Sequence, residues 1–215
     1  KKAKGKNNMK SLSLQTSSIA ASMTVSIDTL AKKLKAEGKD IVSLGAGEPD
    51  FKTPEIIRNA AKEAIEQGKT KYVAPTGLEE VRKAVANKLQ KENGLSYSAN
   101  QIVLTSGAKQ AVFNSLAALI NPDDEIIIPA PYWVTYPELV KWFKGVPVFI
   151  ETTPESAFKI TPEQLKNAIT EKTKAVILNN PCNPSGAVYS PKELKALSEV
   201  IVDNDLFCIS DEIYE

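Results

Sequence analysis

Apolar residues recur along this chain with two periods, one helical and one suited to buried strands. Over residues 25–37 the spacing is helical, with Ile27, Leu30, Ala31 and Leu34 on one face and Gly38 as a stop. A short strand is expected over 41–44. A second helix is predicted from Thr53-Pro54-Glu55 to about Gly68, with Thr53 as cap and Pro54 in the first turn. A third starts at a capping box of Thr76 and Glu79 and ends near Asn93-Gly94. Beyond residue 100 the two patterns alternate. Strands are expected over 101–105, 125–129, 146–150, 175–179 and 206–210. Between them lie helices over 108–120 and 132–144 and helices starting at Thr161-Pro162-Glu163-Gln164 and Ser190-Pro191-Lys192-Glu193. Five β-runs separated by helical segments predict an α/β fold with a mostly parallel sheet.

Composition narrows the class. At 215 residues, with 42% hydrophobic and 25% charged, the chain suits one large globular domain or two small ones. No stretch approaches the ~18 uninterrupted apolar residues of a membrane helix. The Lys-rich start is not followed by an apolar segment, so no secretory signal is expected. Net charge is +1, but five lysines fall within residues 1–10. Without them 22 basic residues face 26 acidic ones, a net of −4 that argues against a nucleic-acid surface. That tail reads as a solvated extension, a cloning scar or the remnant of a targeting segment. Histidine is absent, which removes Ser-His-Asp and Cys-His catalysis and every His-dependent zinc motif. Cys182 and Cys208 form no C-x-x-C pair and suggest a reducing compartment.

Two nucleotide motifs fail on inspection. Gly45-Ala46-Gly47 lacks the third glycine of a dinucleotide fingerprint, since Asp50 stands there, and Gly68-Lys69-Thr70 has Glu63 where a P-loop needs glycine. Four other segments are compatible with a site. Thr105-Ser106-Gly107-Ala108-Lys109-Gln110 links a strand to a helix start that could cradle a phosphate, or forms a plain turn. In Asn179-Asn180-Pro181-Cys182-Asn183-Pro184-Ser185-Gly186 the prolines stiffen the backbone around Asn183, whose amide faces a ligand or bonds its own turn. Asp211, at the end of an apolar strand, needs a cationic partner, either a protonated pyridine nitrogen or a Lys or Arg. Tyr132, Trp133 and Tyr136 open a helix, as core or as a face over a planar ligand.

Taken in order, Gly45-Ala46-Gly47-Glu48-Pro49-Asp50-Phe51, Lys71-Tyr72, Ser106 to Gln110, Pro131 to Tyr136, Asn179 to Gly186 and Ser210-Asp211-Glu212-Ile213-Tyr214 resemble the class I aminotransferases of the fold-type I pyridoxal-phosphate enzymes. The likeness runs from Ser22 to Glu215 and is nearest the bacterial-type aspartate aminotransferases. It implies pyridoxal 5'-phosphate as cofactor and amino-group transfer from an L-amino acid, first aspartate or glutamate, to a 2-oxo acid. Prephenate, aromatic or alanine-type transfer and a lyase on the same fold are alternatives, as is a non-catalytic sensor module. By position, Asp211 would pair with the pyridinium nitrogen, and Asn183 and Tyr214 would bond the ring's phenolic oxygen. Trp133 would stack on the ring and also line the substrate site. Gly107, Ala108 and Lys109 would lie at the phosphate. Tyr72 would reach the phosphate of a neighbouring subunit, which implies a homodimer. Gly47 and Asn183 would hold the substrate α-carboxylate, with Thr24 and Lys109 near its distal end.

The same resemblance puts the Schiff-base lysine and the carboxylate-binding arginine beyond Glu215, so the chain reads as an N-terminal half. Residues 1–23 would form the tail and arm, 24–52 the first part of a small domain, and 53–215 the start of the large cofactor-binding domain. Near the arm, relatives carry a basic residue and proline where this chain has Ala20-Ala21-Ser22-Met23-Thr24, a departure at the substrate-closing contact. A cytoplasmic location is expected, with an organelle as the alternative.

Overall fold

The run Glu125–Pro129 reads EIIIP, with three β-branched residues that have no polar face to show, and it forms the centre of the only sheet among the described residues. The computed structural model describes residues 10–11, 13–21, 23–45 and 47–215. The Lys-rich tail over 1–9, with Ser22 and Ala46, lies outside them. Two compact units are present, Ser22–Gly107 and a second made of the segment up to Ala21 with Ala108–Glu215.

The second unit carries the sheet. Strands β1 (Glu125–Pro129), β2 (Val146–Ile150), β3 (Thr173–Asn179) and β4 (Phe207–Asp211) are all parallel, in the order β2-β1-β3-β4. Successive side chains point to opposite faces, and the hydrophobic clusters follow that alternation. Ile126, Ile128, Ala175 and Ile177 pack with Val112, Leu116, Tyr136 and Val140 on one face. Ile127, Val176 and Leu178 pack with Leu165, Tyr189, Leu197 and Ile201 on the other. Helices therefore cover both faces, as a parallel sheet requires.

Within this unit the first helix, α1 (Leu14–Ser18), is followed in space by α5 (Ala108–Leu119) and α6 (Thr135–Trp142) on the first face and by α7 (Pro162–Ala168) and α8 (Pro191–Asp203) on the second. The arm is held against α6: Gln15 Nε2 donates to the Trp142 carbonyl at 3.2 Å, and the Ala20 N–H donates to Glu138 Oε2 at 2.9 Å. Capping boxes open α7 at Thr161 and Gln164 and α8 at Ser190 and Glu193, where the sequence places the helix starts.

The Ser22–Gly107 unit holds α2 (Met23–Ala36), α3 (Glu55–Glu66) and α4 (Glu79–Glu92). Several local expectations fail here. Residues 41–44 form no strand, and Val42 and Leu44 are exposed. Nor does 101–105 form one. Ser98 and Gln101 close a short 3₁₀ turn over Ala99–Gln101, and beyond it one backbone bond, Leu104 N–H to the Thr76 carbonyl at 3.0 Å, stands in for a ladder. That leaves four strands where six were expected. The cap of α4 is Leu78 without a side-chain bond, not Thr76; Glu79 turns instead to Lys83 at 2.6 Å. Gly77 explains the change: it sits at φ +93° with Leu104 so close that a Cβ would meet it at 2.5 Å, so the chain is set by that approach. Likewise α3 is capped by Pro54 without a side-chain bond, and Thr53 takes no part. In the sheet unit, α6 begins at Thr135 and not at Tyr132, and Pro131 to Val134 form the turn that leads into it.

Candidate functional site at the carboxyl end of the sheet

Three strands deliver the polar residues of the second unit to one end. After β1 come Tyr132 and Trp133, after β3 the Asn179–Gly186 loop, and Asp211 is the last residue of β4. The carboxyl ends of parallel strands are where open α/β sheets take their ligands.

Asp211 is the one charged residue buried among the described residues, at 8% exposure. Its Oδ2 accepts from the Tyr136 hydroxyl at 2.5 Å and its Oδ1 from the Ile213 N–H at 3.2 Å. Both donors are neutral, and among the described residues no lysine or arginine pairs with it. Its backbone is clamped too. Asn179 Nδ2 and the Asn180 N–H both donate to the Asp211 carbonyl, at 3.0 and 3.1 Å.

Tyr136 was not singled out as a site residue by its position in the sequence. It is 2% exposed, and burial, followed by the carboxylate it donates to, pushes its phenol well above the usual tyrosine range. It therefore stays a neutral donor. Its ring meets Trp133 edge-on at 5.3 Å, and Lys109 Nζ lies 5.1 Å from the centroid of the Trp133 ring. Tyr132 packs against the same cluster and stacks on Phe149 at 4.9 Å.

In the Pro-rich loop, the Asn183 N–H donates to Asn179 Oδ1 at 2.7 Å, so Asn179 and not Asn183 builds the polar turn. The Asn183 side-chain amide has no partner among the described residues. Asn180 Oδ1 accepts from the Tyr189 N–H at 2.9 Å, which ties the far end of the loop. Asn183, Cys182, Gly186 and the half-exposed Tyr214 line one pocket of about 250 Å³ with Pro181 and Pro184. Cys182 donates its thiol to the Pro131 carbonyl at 3.4 Å, a packing role.

A continuous series of contacts thus runs from Lys109 through Trp133 and Tyr136 to Asp211, and on through Asn179 to Asn183. Ala108 and Lys109 open α5 beside it in sequence. The remaining expected residues belong to the other unit. Gly107 ends that unit at φ +82°, its carbonyl accepting from Thr105 Oγ1 at 3.0 Å. Thr24 is half-buried in α2, Gly47 lies on an exposed loop, and Tyr72 is fully exposed. The missed residues, Tyr136 and Asn179, act across 75 and 32 positions of chain; only the doubled asparagine at 179–180 and the third aromatic at 136 hinted at them.

Residues 39–215 match the model of the family described as aminotransferase class I and II. The aspartate aminotransferase of Bacillus subtilis is 47% identical over 204 residues, 95% of this chain and 52% of its own length. The aspartate/prephenate aminotransferase of Thermus thermophilus is 47% identical over 207 residues, 96% of this chain and 54% of its own. A structure of aspartate aminotransferase from Thermus thermophilus with maleate superposes with a TM-score of 0.93 at 47% identity, covering 96% of this chain and 54% of that one. An alanine aminotransferase from Pyrococcus furiosus superposes at 0.90 with 31% identity, over 95% of this chain and 52% of that one. The chain spans about half the length of the curated relatives it matches. With the family match covering the greater part of its residues, this chain belongs to the class I and II aminotransferases.

Proposed function

We propose that the native protein containing this chain transfers an amino group from an L-amino acid to a 2-oxo acid with pyridoxal 5'-phosphate held at the carboxyl end of the sheet. The observation that carries this is Asp211, a buried carboxylate supported by neutral donors alone and so short of a positive partner. A protonated pyridine nitrogen is such a partner, and nearby residues fit the rest of that cofactor: the Trp133 indole against Tyr136, the Asn183 amide in the pocket it lines with Tyr214, and the start of a twelve-residue helix at Ala108. When bound, pyridoxal phosphate supplies the electron sink for rearranging bonds at the substrate α-carbon.

The chain's own residues then divide the work. Asp211 holds the proton on the pyridine nitrogen. Trp133 bounds one face of the ring and excludes water there. The Asn183 amide and the Tyr214 hydroxyl bond the phenolic oxygen. Ala108 would offer its backbone N–H, and Lys109 a positive charge, to the phosphate, with Gly107 turning the chain into the helix start beside them. Gly47 and Asn183 would orient the substrate α-carboxylate, with Thr24 and Lys109 toward its far end. Tyr72, fully exposed in its unit, would serve the phosphate of a second subunit in a homodimer. The lysine that anchors the cofactor would come from the part of the relatives' length that these residues do not span.

Dicarboxylates are the substrates we favour, because relatives at 47% identity are aspartate aminotransferases and the Thermus structure holds maleate, a dicarboxylate. Relatives of equal identity named aspartate/prephenate aminotransferase make prephenate the second acceptor to assay. The test is borohydride reduction of the native holoprotein, followed by peptide mapping and an assay of aspartate with 2-oxoglutarate. A pyridoxyl label on a lysine outside these residues, with amino transfer from aspartate, is expected. Stoichiometric label on Lys109, or no transfer from any amino acid, overturns the reading.

A further inference from the structure

Tyr136 is the residue through which the two ring-facing elements of the site touch. Its hydroxyl reaches the carboxylate at the end of β4, its ring meets the Trp133 indole edge-on, and its N–H donates to the Trp133 carbonyl at 3.0 Å. Its own position is fixed elsewhere, in the core beside Val112, Val140 and Ile177 on the α5 and α6 side of the sheet. We propose that Tyr136 is a positioning residue that locks the Asp211 carboxylate and the Trp133 ring into one fixed geometry against the cofactor ring. This inference rests on the cofactor site argued above.

The chemistry of the donor supports it. Lysine or arginine at this place would neutralise Asp211 and compete with the protonated ring nitrogen for its charge. A phenol donates one hydrogen and leaves the full negative charge available. Because burial keeps the phenol protonated, the support does not lapse at neutral pH. Histidine, the side chain that titrates there, is absent from the chain. A hydroxyl with only a packing role could be lost without any effect that passes through Asp211.

Four native-length proteins decide between these roles: wild type, Tyr136→Phe, Asp211→Asn and the double variant. Each is stripped of cofactor and titrated with pyridoxal phosphate, with binding read from quenching of tryptophan fluorescence, and unfolding is followed by circular dichroism. Tyr136→Phe is expected to weaken binding about tenfold in the wild-type background, the effect of losing one hydrogen bond to a charged group. In the Asp211→Asn background the same change is expected to cost less than about twofold, since the charge it supports is gone. Equal losses in both backgrounds, no loss in the wild type, or a Phe variant that fails to fold would each overturn the proposal, because removing one oxygen leaves the ring in place. A wild-type protein that takes up no pyridoxal phosphate overturns the functional reading instead, and does so before any variant is compared.

Discussion

Asp211 shows how much a single side chain can specify. Its carboxylate is buried, yet it is held by a phenol and a peptide N–H, neither of which neutralises it. Removing it should leave the phosphate end of the cofactor held while the ring loses its charge partner. In the native protein Asp211→Ala is expected to lower the rate of amino transfer by on the order of 10³-fold, since a buried ionic partner is worth several kcal/mol. Steady-state kinetics with aspartate check this, and a near-normal rate would remove Asp211 from its role. Asp211 was legible in the sequence because an acid closing an apolar strand is costly without a partner. Trp133 and Asn183 were legible as members of spaced motifs. Tyr136 and Asn179 stand in the same motifs, but their roles were not legible, because each acts through a hydrogen bond to Asp211 far along the chain, which no local pattern encodes.

At the scale of elements, local chemistry decided what could be read. Thr161 with Gln164 and Ser190 with Glu193 are self-contained boxes, and both helices start where the sequence says. The apolar runs at 41–44 and 101–105 carry strand-like composition, but a strand exists only with a neighbour to pair with, and none of the described strands pairs with them. Thr76 and Glu79 have the letters of a box, yet the close approach of Leu104 to Gly77 takes the backbone elsewhere. The α8 start can be tested. Ser190→Ala is expected to cost about 1 kcal/mol of stability, read from urea unfolding followed by circular dichroism. The neighbouring Glu193 is held at about 2, below its ordinary 4.5, first by Lys159 at 2.6 Å and then by Ser190. A lowered carboxyl stabilises the fold above its unfolded value and loses that contribution as pH falls through the folded one. The stability difference between wild type and Glu193→Gln should therefore shrink between about pH 4.5 and 2, whereas a constant difference would exclude this ion pair as its source.

For the molecule as a whole, the order β2-β1-β3-β4 leaves β4 with a neighbour on one side among the described residues, and Phe207 at its start is 51% exposed. β2, at the other edge, likewise has one neighbour among the described residues, whereas β1 and β3 are paired on both sides. Asp211 closes β4. A ligand that binds only the ordered form stabilises it by mass action. Pyridoxal phosphate is therefore expected to slow amide hydrogen exchange of Phe207–Asp211 in the native protein more than that of Glu125–Pro129, as mass spectrometry of peptides would show. Equal slowing of the two strands would mean that the cofactor steadies the sheet as one body. The consequence reaches into the cell. Where the proposed cofactor is scarce, chains without it would lack that support at the Asp211 end of β4 and would be cut there sooner. The abundance of the native protein would then follow the availability of the cofactor we propose, with no regulator in between.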